Sequence, residues 1–154
     1  MLLTATCSYN NIEEIRSKLN IPENNFTIIR GASFQRNELA FEIRKRKENK
    51  QIFWREIANY INEISDERCI IYCATKNKCE ELQVGLENLV ENSIGLYHGG
   101  LNDNTRQQIL KSWKLGVSKI IIGTSAFEME INCINVRCII FVNAPINISK
   151  YLIL

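Results

Sequence analysis

The chain has 154 residues, 45% hydrophobic and 23% charged, with a net charge of +2. That length suits one domain, since a chain of this size buries roughly 68–70% of its unfolded surface. The charge is too small to argue for nucleic acid by itself; no run reaches the roughly 18 apolar residues of a membrane span, and no basic segment opens the chain as in a signal peptide. Six cysteines, Cys7, Cys69, Cys73, Cys79, Cys133 and Cys138, include no C-x-x-C pair. They read as free thiols of a reducing compartment, serving as small buried apolar groups rather than as a zinc site.

Taken in order, Met1–Cys7 reads as a strand end and a turn with nothing before it, so the N-terminus looks cut. Asn10 and Glu13 have capping-box spacing, and Ile12, Ile15 and Leu19 give one helical face that Pro22 ends. Phe26–Arg30 reads as a strand, as does Glu38–Ile43, where polar and apolar residues alternate. Arg44–Lys50 is the one basic run; a solvated connector is the simpler reading, a phosphate-contacting patch the sharper one. A helix follows near 51–64, with Phe53, Ile57, Tyr60, Ile61 and Ile64 inward.

The pattern then becomes regular. Strands are predicted at 68–73, 94–97, 119–123 and 136–142. Between them lie a helix over 76–91, with Cys79, Leu82, Leu86 and Leu89 inward, and one from Asn102 or Asp103 to about Leu115, closed by Gly116. Near-continuous apolar strands alternating with helices imply an α/β fold, a three-layer parallel sheet flanked by helices. An apolar stub, Tyr151–Leu154, follows the start of another helix, and the C-terminus also looks cut.

In such sheets ligands sit at the carboxyl ends of the strands. Three pairs fall there: Thr75 with Lys76, His98 with Gly99, and Thr124 with Ser125. Hydroxyls, a cation and helix-start amides suit a phosphate backbone held without reading bases. Each has a plain alternative: helix-start residues for Thr75 and Lys76, a satisfied polar group for His98, and a surface cation for Arg106 on the helix that follows. Trp54 and Trp113 read as core packing rather than base-stacking residues.

Several stretches, in order, resemble the second motor lobe of a RecQ-family DNA helicase. Leu3-Thr-Ala-Thr6 is similar to that family's L-T-A-T, and Ser33-Phe-Gln-Arg36 through Ile43 to its S-F-x-R-P-N-L-x-Y-E-V. Cys69-Ile-Ile-Tyr-Cys73 resembles I-I-Y-C; Leu96-Tyr-His-Gly-Gly-Leu101 resembles Y-H-A-G-L, with Arg106 at the matching arginine. Gly123 to Asn132 resembles A-T-x-A-F-G-M-G-I-D, and Val136 to Phe141 resembles V-R-x-V-I-H, with a proline at Pro145.

The resemblance implies a nuclear, ATP- and Mg2+-dependent 3′-to-5′ DNA helicase, with cytoplasm as the alternative location. It makes residues 1–24 the tail of a first lobe plus a connecting helix, and 25–154 an incomplete C-terminal lobe. Its expected partners are single-stranded or partly duplex DNA and a separate first lobe or another protein at the exposed edge, and no membrane. Thr4 and Thr6 would couple the lobes; Glu128, Glu130 and Asn132 would face nucleotide.

The departures bear on activity. Glu128 and Glu130 stand where the family has glycines, Asn132 replaces an aspartate, Asn37 and Glu38 replace Pro-Asn, and Phe141 replaces a histidine. No G-x-x-x-x-G-K-[ST] loop is present, nor an acidic box for magnesium, nor a Q-x-x-G-R-x-G-R arginine-finger motif. Those parts cradle the triphosphate, order the metal and stabilise transition-state charge, so the chain alone is expected to be inactive and to bind neither ATP nor Mg2+ tightly. A carboxylate about 4 Å from a phosphate costs roughly 1–4 kcal/mol. Glu128→Gly with Glu130→Gly is therefore expected to tighten single-stranded DNA binding, and unchanged anisotropy would remove the idea. A non-catalytic interaction module derived from a helicase lobe is the alternative function.

Overall fold

The computed structural model describes residues 9–29, 39–64, 67–125, 127 and 135–143. Its contacts separate two compact units, one within residues 1–45 and 147–154, the other spanning residues 46–146. In the first, helix α1 runs Tyr9–Lys18 and a 3-10 turn spans Glu23–Asn25. Asn10 lies inside α1, so it forms no capping box, and Glu13 instead pairs with Arg16 at 2.6 Å. Nor does Pro22 stop the helix: Asn20 does, at φ 51, with Ile21 N–H bonding the Arg16 carbonyl (3.1 Å) and Asn20 N–H that of Ser17 (3.1 Å). Asparagine is one of the few residues that tolerate this left-handed closure.

The two strands predicted in this unit are not formed within the described residues: 26–29 and 39–43 carry no regular structure. Ile29 and Ile43 are 92% and 98% exposed. Alternation offers a face, but a strand exists only where another strand's amides meet it.

The second unit holds a four-stranded parallel sheet in the order β2-β3-β1-β4. Its strands are β1 Arg68–Tyr72, β2 Ile94–Tyr97, β3 Ile120–Gly123 and β4 Val136–Phe141. The helices are α2 Lys50–Glu63, α3 Lys76–Leu86 and α4 Asp103–Lys114. Each begins on a polar cap: Asn49 accepts from Gln51 and Ile52 N–H, Thr75 from Lys78 N–H, and Asn102 from Thr105 N–H.

Successive strand residues face opposite sides. Cys69, Ile71, Ile120 and Ile122 therefore pack against Phe53, Ile57 and Ile61 of α2 and Cys79, Leu82 and Leu86 of α3. On the other side, the position beside Gly95 meets Ile109 of α4 and Ile121, and Trp113 of α4 meets Phe127 edge-on at 6.3 Å. Covering on both faces explains the unbroken apolar runs of β1 and β3. Glycine at 85 is a packing requirement, since a Cβ there would overlap the Trp54 ring that bridges α2 to α3.

The four described cysteines, Cys69, Cys73, Cys79 and Cys138, are buried. Cys69 stands opposite Cys138 in register, and Cys73 shares a hydrogen bond with Cys79. That bond to the partner thiol, and then burial, push the Cys69 and Cys73 thiols well above the ordinary range. Among the described residues no three His, Cys, Asp or Glu side chains converge as a metal site, and no helix is long and apolar enough to cross a membrane.

Candidate nucleic-acid interface

Register decides what the sheet presents. Tyr72 of β1 and Tyr97 of β2 both pair with Gly123 of β3, and Tyr72 also pairs with Phe141 of β4. The four carboxyl ends are therefore level, and the turns that leave them share one rim. Two bonds tie the turns together: Cys73 N–H donates to the Gly123 carbonyl at 2.9 Å, and Thr124 N–H to the Tyr97 carbonyl at 3.3 Å. Gly123 permits this closeness, because a Cβ there would stand 2.8 Å from the Tyr97 carbonyl oxygen.

Thr75 and Lys76 leave β1 and open α3, both exposed. The Thr75 hydroxyl accepts from Lys78 N–H at 3.3 Å, which leaves its own proton available to an outside acceptor. Thr124 is half-buried and Ser125 exposed after β3. The Thr124 carbonyl accepts from Phe127 N–H at 2.9 Å, so a tight turn holds the two hydroxyls.

His98 is placed differently. It is 3% exposed, at the end of β2. Its Nδ1 accepts from Gly100 N–H at 3.2 Å, and its Nε2 lies 3.3 Å from Glu80 Oε1. The Glu80 contact is close in distance but poorly aligned for a hydrogen bond. A Cβ on Gly99 would meet nothing within 4 Å, whereas one on Gly100 would stand 3.1 Å from His98 Nδ1 and 3.2 Å from Lys76 Nζ. The sterically committed glycine is thus Gly100, not Gly99.

Arg106 lies in the first turn of α4, where its guanidinium pairs with Asp103, so part of its charge is engaged on its own helix. Thr4, Thr6, Glu128, Glu130 and Asn132 lie outside the described residues, as do Pro145 and Tyr151–Leu154.

Three rim residues carried no signal that the sequence reading used. Glu80 looks like any exposed helix carboxylate until the fold sets α3 over the β2 turn. Gly100 was hidden by its neighbour Gly99. Asn143, just past β4, has a buried Oδ1 with no hydrogen-bond partner among the described residues, so an acceptor at the rim is left without a donor.

Beside the rim, Arg46, Lys50 and Lys78 line a groove with Phe53, Trp54 and Glu81. These cations are partly committed: Arg46 lies 4.6 Å over the Phe53 ring and Lys50 pairs with Glu81 at 2.5 Å. The Lys50 ammonium, first by its hydrogen bond and then by its charge, holds the Glu81 carboxyl below the ordinary range.

Among the described residues the rim presents the hydroxyls of Thr75, Thr124 and Ser125, the exposed Lys76 at a helix start, and turn amides. Among the described residues no three His, Cys, Asp or Glu side chains converge at the rim, and the chain contains no G-x-x-x-x-G-K-[ST] loop.

Residues 49–152 match the family of the helicase conserved C-terminal domain. The chain is 33% identical over 121 residues to the ATP-dependent DNA helicase hus2/rqh1 of Schizosaccharomyces pombe, covering 78% of this chain and 9% of that protein. It is 31% identical over 153 residues to the ATP-dependent DNA helicase RecQ of Bacillus subtilis, covering 98% and 24%. The chain thus spans about a quarter or less of these relatives. Among solved structures it resembles Saccharomyces cerevisiae Dbp5 bound to RNA and ADP BeF3, with a TM-score of 0.67, 18% identity, and coverage of 97% of this chain and 39% of that one. It also resembles the Mycobacterium smegmatis helicase Lhr bound to ssDNA and AMP-PNP, with a TM-score of 0.57, 20% identity, and coverage of 70% and 15%. Those two likenesses concern the fold alone. By its family match and its relatives, the chain belongs to the helicase conserved C-terminal domain family, as a RecQ-like C-terminal lobe.

Proposed function

We propose that this lobe holds the backbone of single-stranded or partly duplex DNA along its carboxyl-terminal rim, as the second lobe of an ATP-dependent 3′-to-5′ DNA helicase of the RecQ type. In this reading residues 25–154 form the second lobe, residues 1–24 end a first lobe, and the protein works in the nucleus. The observation that supports it most is the level register of Tyr72, Gly123 and Tyr97, which brings Thr75, Lys76, His98, Gly99, Thr124 and Ser125 to one edge.

Lys76 supplies charge to a phosphate, while the Thr75, Thr124 and Ser125 hydroxyls and the exposed Gly99 turn supply uncharged contacts. His98 serves through its turn rather than its ring, because both ring nitrogens already face protein groups. Arg106 adds charge from α4. ATP and magnesium would supply the energy of translocation in the intact enzyme. The sequence holds no phosphate loop to cradle the triphosphate, so the chain by itself is read as inactive.

The test is fluorescence anisotropy of a labelled single-stranded oligonucleotide across a salt series, with DNA-stimulated ATP turnover measured in parallel. Affinity should fall steeply with salt and weaken in a Lys76→Ala, Thr124→Ala double variant. Affinity indifferent to both would reject the grip, and no binding at any salt would leave the non-catalytic interaction module. Turnover above background would reject inactivity.

A further inference from the structure

Three side chains from two elements surround the glycine turn after β2. Lys76 and Glu80 are four residues apart on α3, hence on one face of that helix. Lys76 Nζ stands 3.2 Å from where a Gly100 Cβ would be, and Glu80 Oε1 lies 3.3 Å from His98 Nε2. His98, the chain's one histidine, is the group between them.

Its Nδ1 accepts from Gly100 N–H. An acceptor nitrogen carries no proton, so the neutral ring must hold its proton on Nε2. That N–H is buried, and the Glu80 carboxylate lies 3.3 Å from its nitrogen. Glu80 is 57% exposed, free to swing the small distance that aligns the bond when a ligand settles on the rim, as site hydrogen bonds often do.

We infer that Glu80 is a positioning residue of the rim: together with the Gly100 N–H, and not replaceable by it alone, it holds His98 as the Nε2–H tautomer, and His98 in turn fixes the Gly99–Gly100 turn against which Lys76 is set. A carboxylate that orients an imidazole whose other nitrogen is engaged is a recurrent device at working sites. The functional half of this inference rests on the rim being a backbone grip; the tautomer does not.

The experiment uses the full chain. With a single histidine, nitrogen-15 NMR of the imidazole reports one ring without assignment. At alkaline pH, where an ordinary imidazole is neutral, the parent protein should show a protonated Nε2 and a bare Nδ1. Glu80→Ala should mix the tautomers and weaken single-stranded DNA binding by roughly three- to tenfold. Glu80→Gln, which keeps an acceptor oxygen without the charge, should restore the tautomer and much of the affinity.

A tautomer unchanged in Glu80→Ala would overturn the inference. So would a mixed tautomer with unaltered affinity while Lys76→Ala still weakens binding. If the tautomer mixes but neither Glu80→Ala nor Lys76→Ala alters affinity, the grip reading falls and the positioning of His98 stands.

Discussion

The two ends of the sheet are finished differently. At the amino end several polar groups of the described residues close on the protein itself. Arg68, where β1 begins, donates to the Lys114 carbonyl at 3.2 Å and lies 5.6 Å over the Trp113 ring. It thereby places a cation at the negative end of α4. Gly116, at φ 76, closes that helix: Val117 N–H reaches the Ser112 carbonyl (3.0 Å) and Gly116 N–H that of Trp113 (3.0 Å). Ser93 and Ser112 each meet the Ser118 hydroxyl, at 3.3 and 3.1 Å, and Ser93 donates to the Val117 carbonyl at 3.1 Å. At the carboxyl end, among the described residues, Lys76 and Ser125 are exposed, Thr124 is half-buried, and Asn143 Oδ1 is buried without a hydrogen-bond partner. One end spends its polar groups on stability, and the other holds them in reserve.

That contrast can be broken from either side. Trp113 touches both ends, through Arg68 and through Phe127. Trp113→Ala should cost about 3–5 kcal/mol in chemical denaturation and blur the difference altogether. Gly123→Ala forces a methyl toward the Tyr97 carbonyl. It should cost about 1–3 kcal/mol and also lower DNA affinity, since it pushes two rim turns apart. A stability loss with affinity intact would mean that the level of the rim is irrelevant to binding.

Arg68→Ala should lower stability by about 1 kcal/mol, from the lost helix-end cation and ring contact, and leave anisotropy curves unmoved. A shift in DNA affinity there would erase the distinction between the ends. Lys76→Ala is the opposite probe. Its unfolding free energy should stay within about 0.5 kcal/mol of the parent in chemical denaturation, while the salt slope of DNA binding becomes shallower by roughly 0.7. A slope that does not change would take Lys76 off the phosphate path.

How far the chain could be read before folding varied by region. Apolar runs at β1 and β3 and the periodicity of α2 to α4 announced themselves, because burial on both faces leaves no polar residue to interrupt those two strands. The ends of α4 were legible too, with Asn102 and Gly116 where cap chemistry demands them, whereas the helix predicted to 91 stops at Leu86. The first 45 residues misled. Phe26–Ile29 and Leu39–Ile43 have strand-like composition, yet composition cannot supply the partner that makes a strand.

The candidate site divides in the same way. That Thr75, His98 and Thr124 follow three strands was written in the order of residues. Local sequence decided the elements, the caps and the open hydroxyls, since each depends on neighbours within a few positions. Only the tertiary structure made the rim level, buried His98, set Gly100 against its ring and brought Glu80 to within 3.3 Å of it. Register and helix placement are set by contacts between residues far apart in the chain, and those contacts come into being only when the sheet closes.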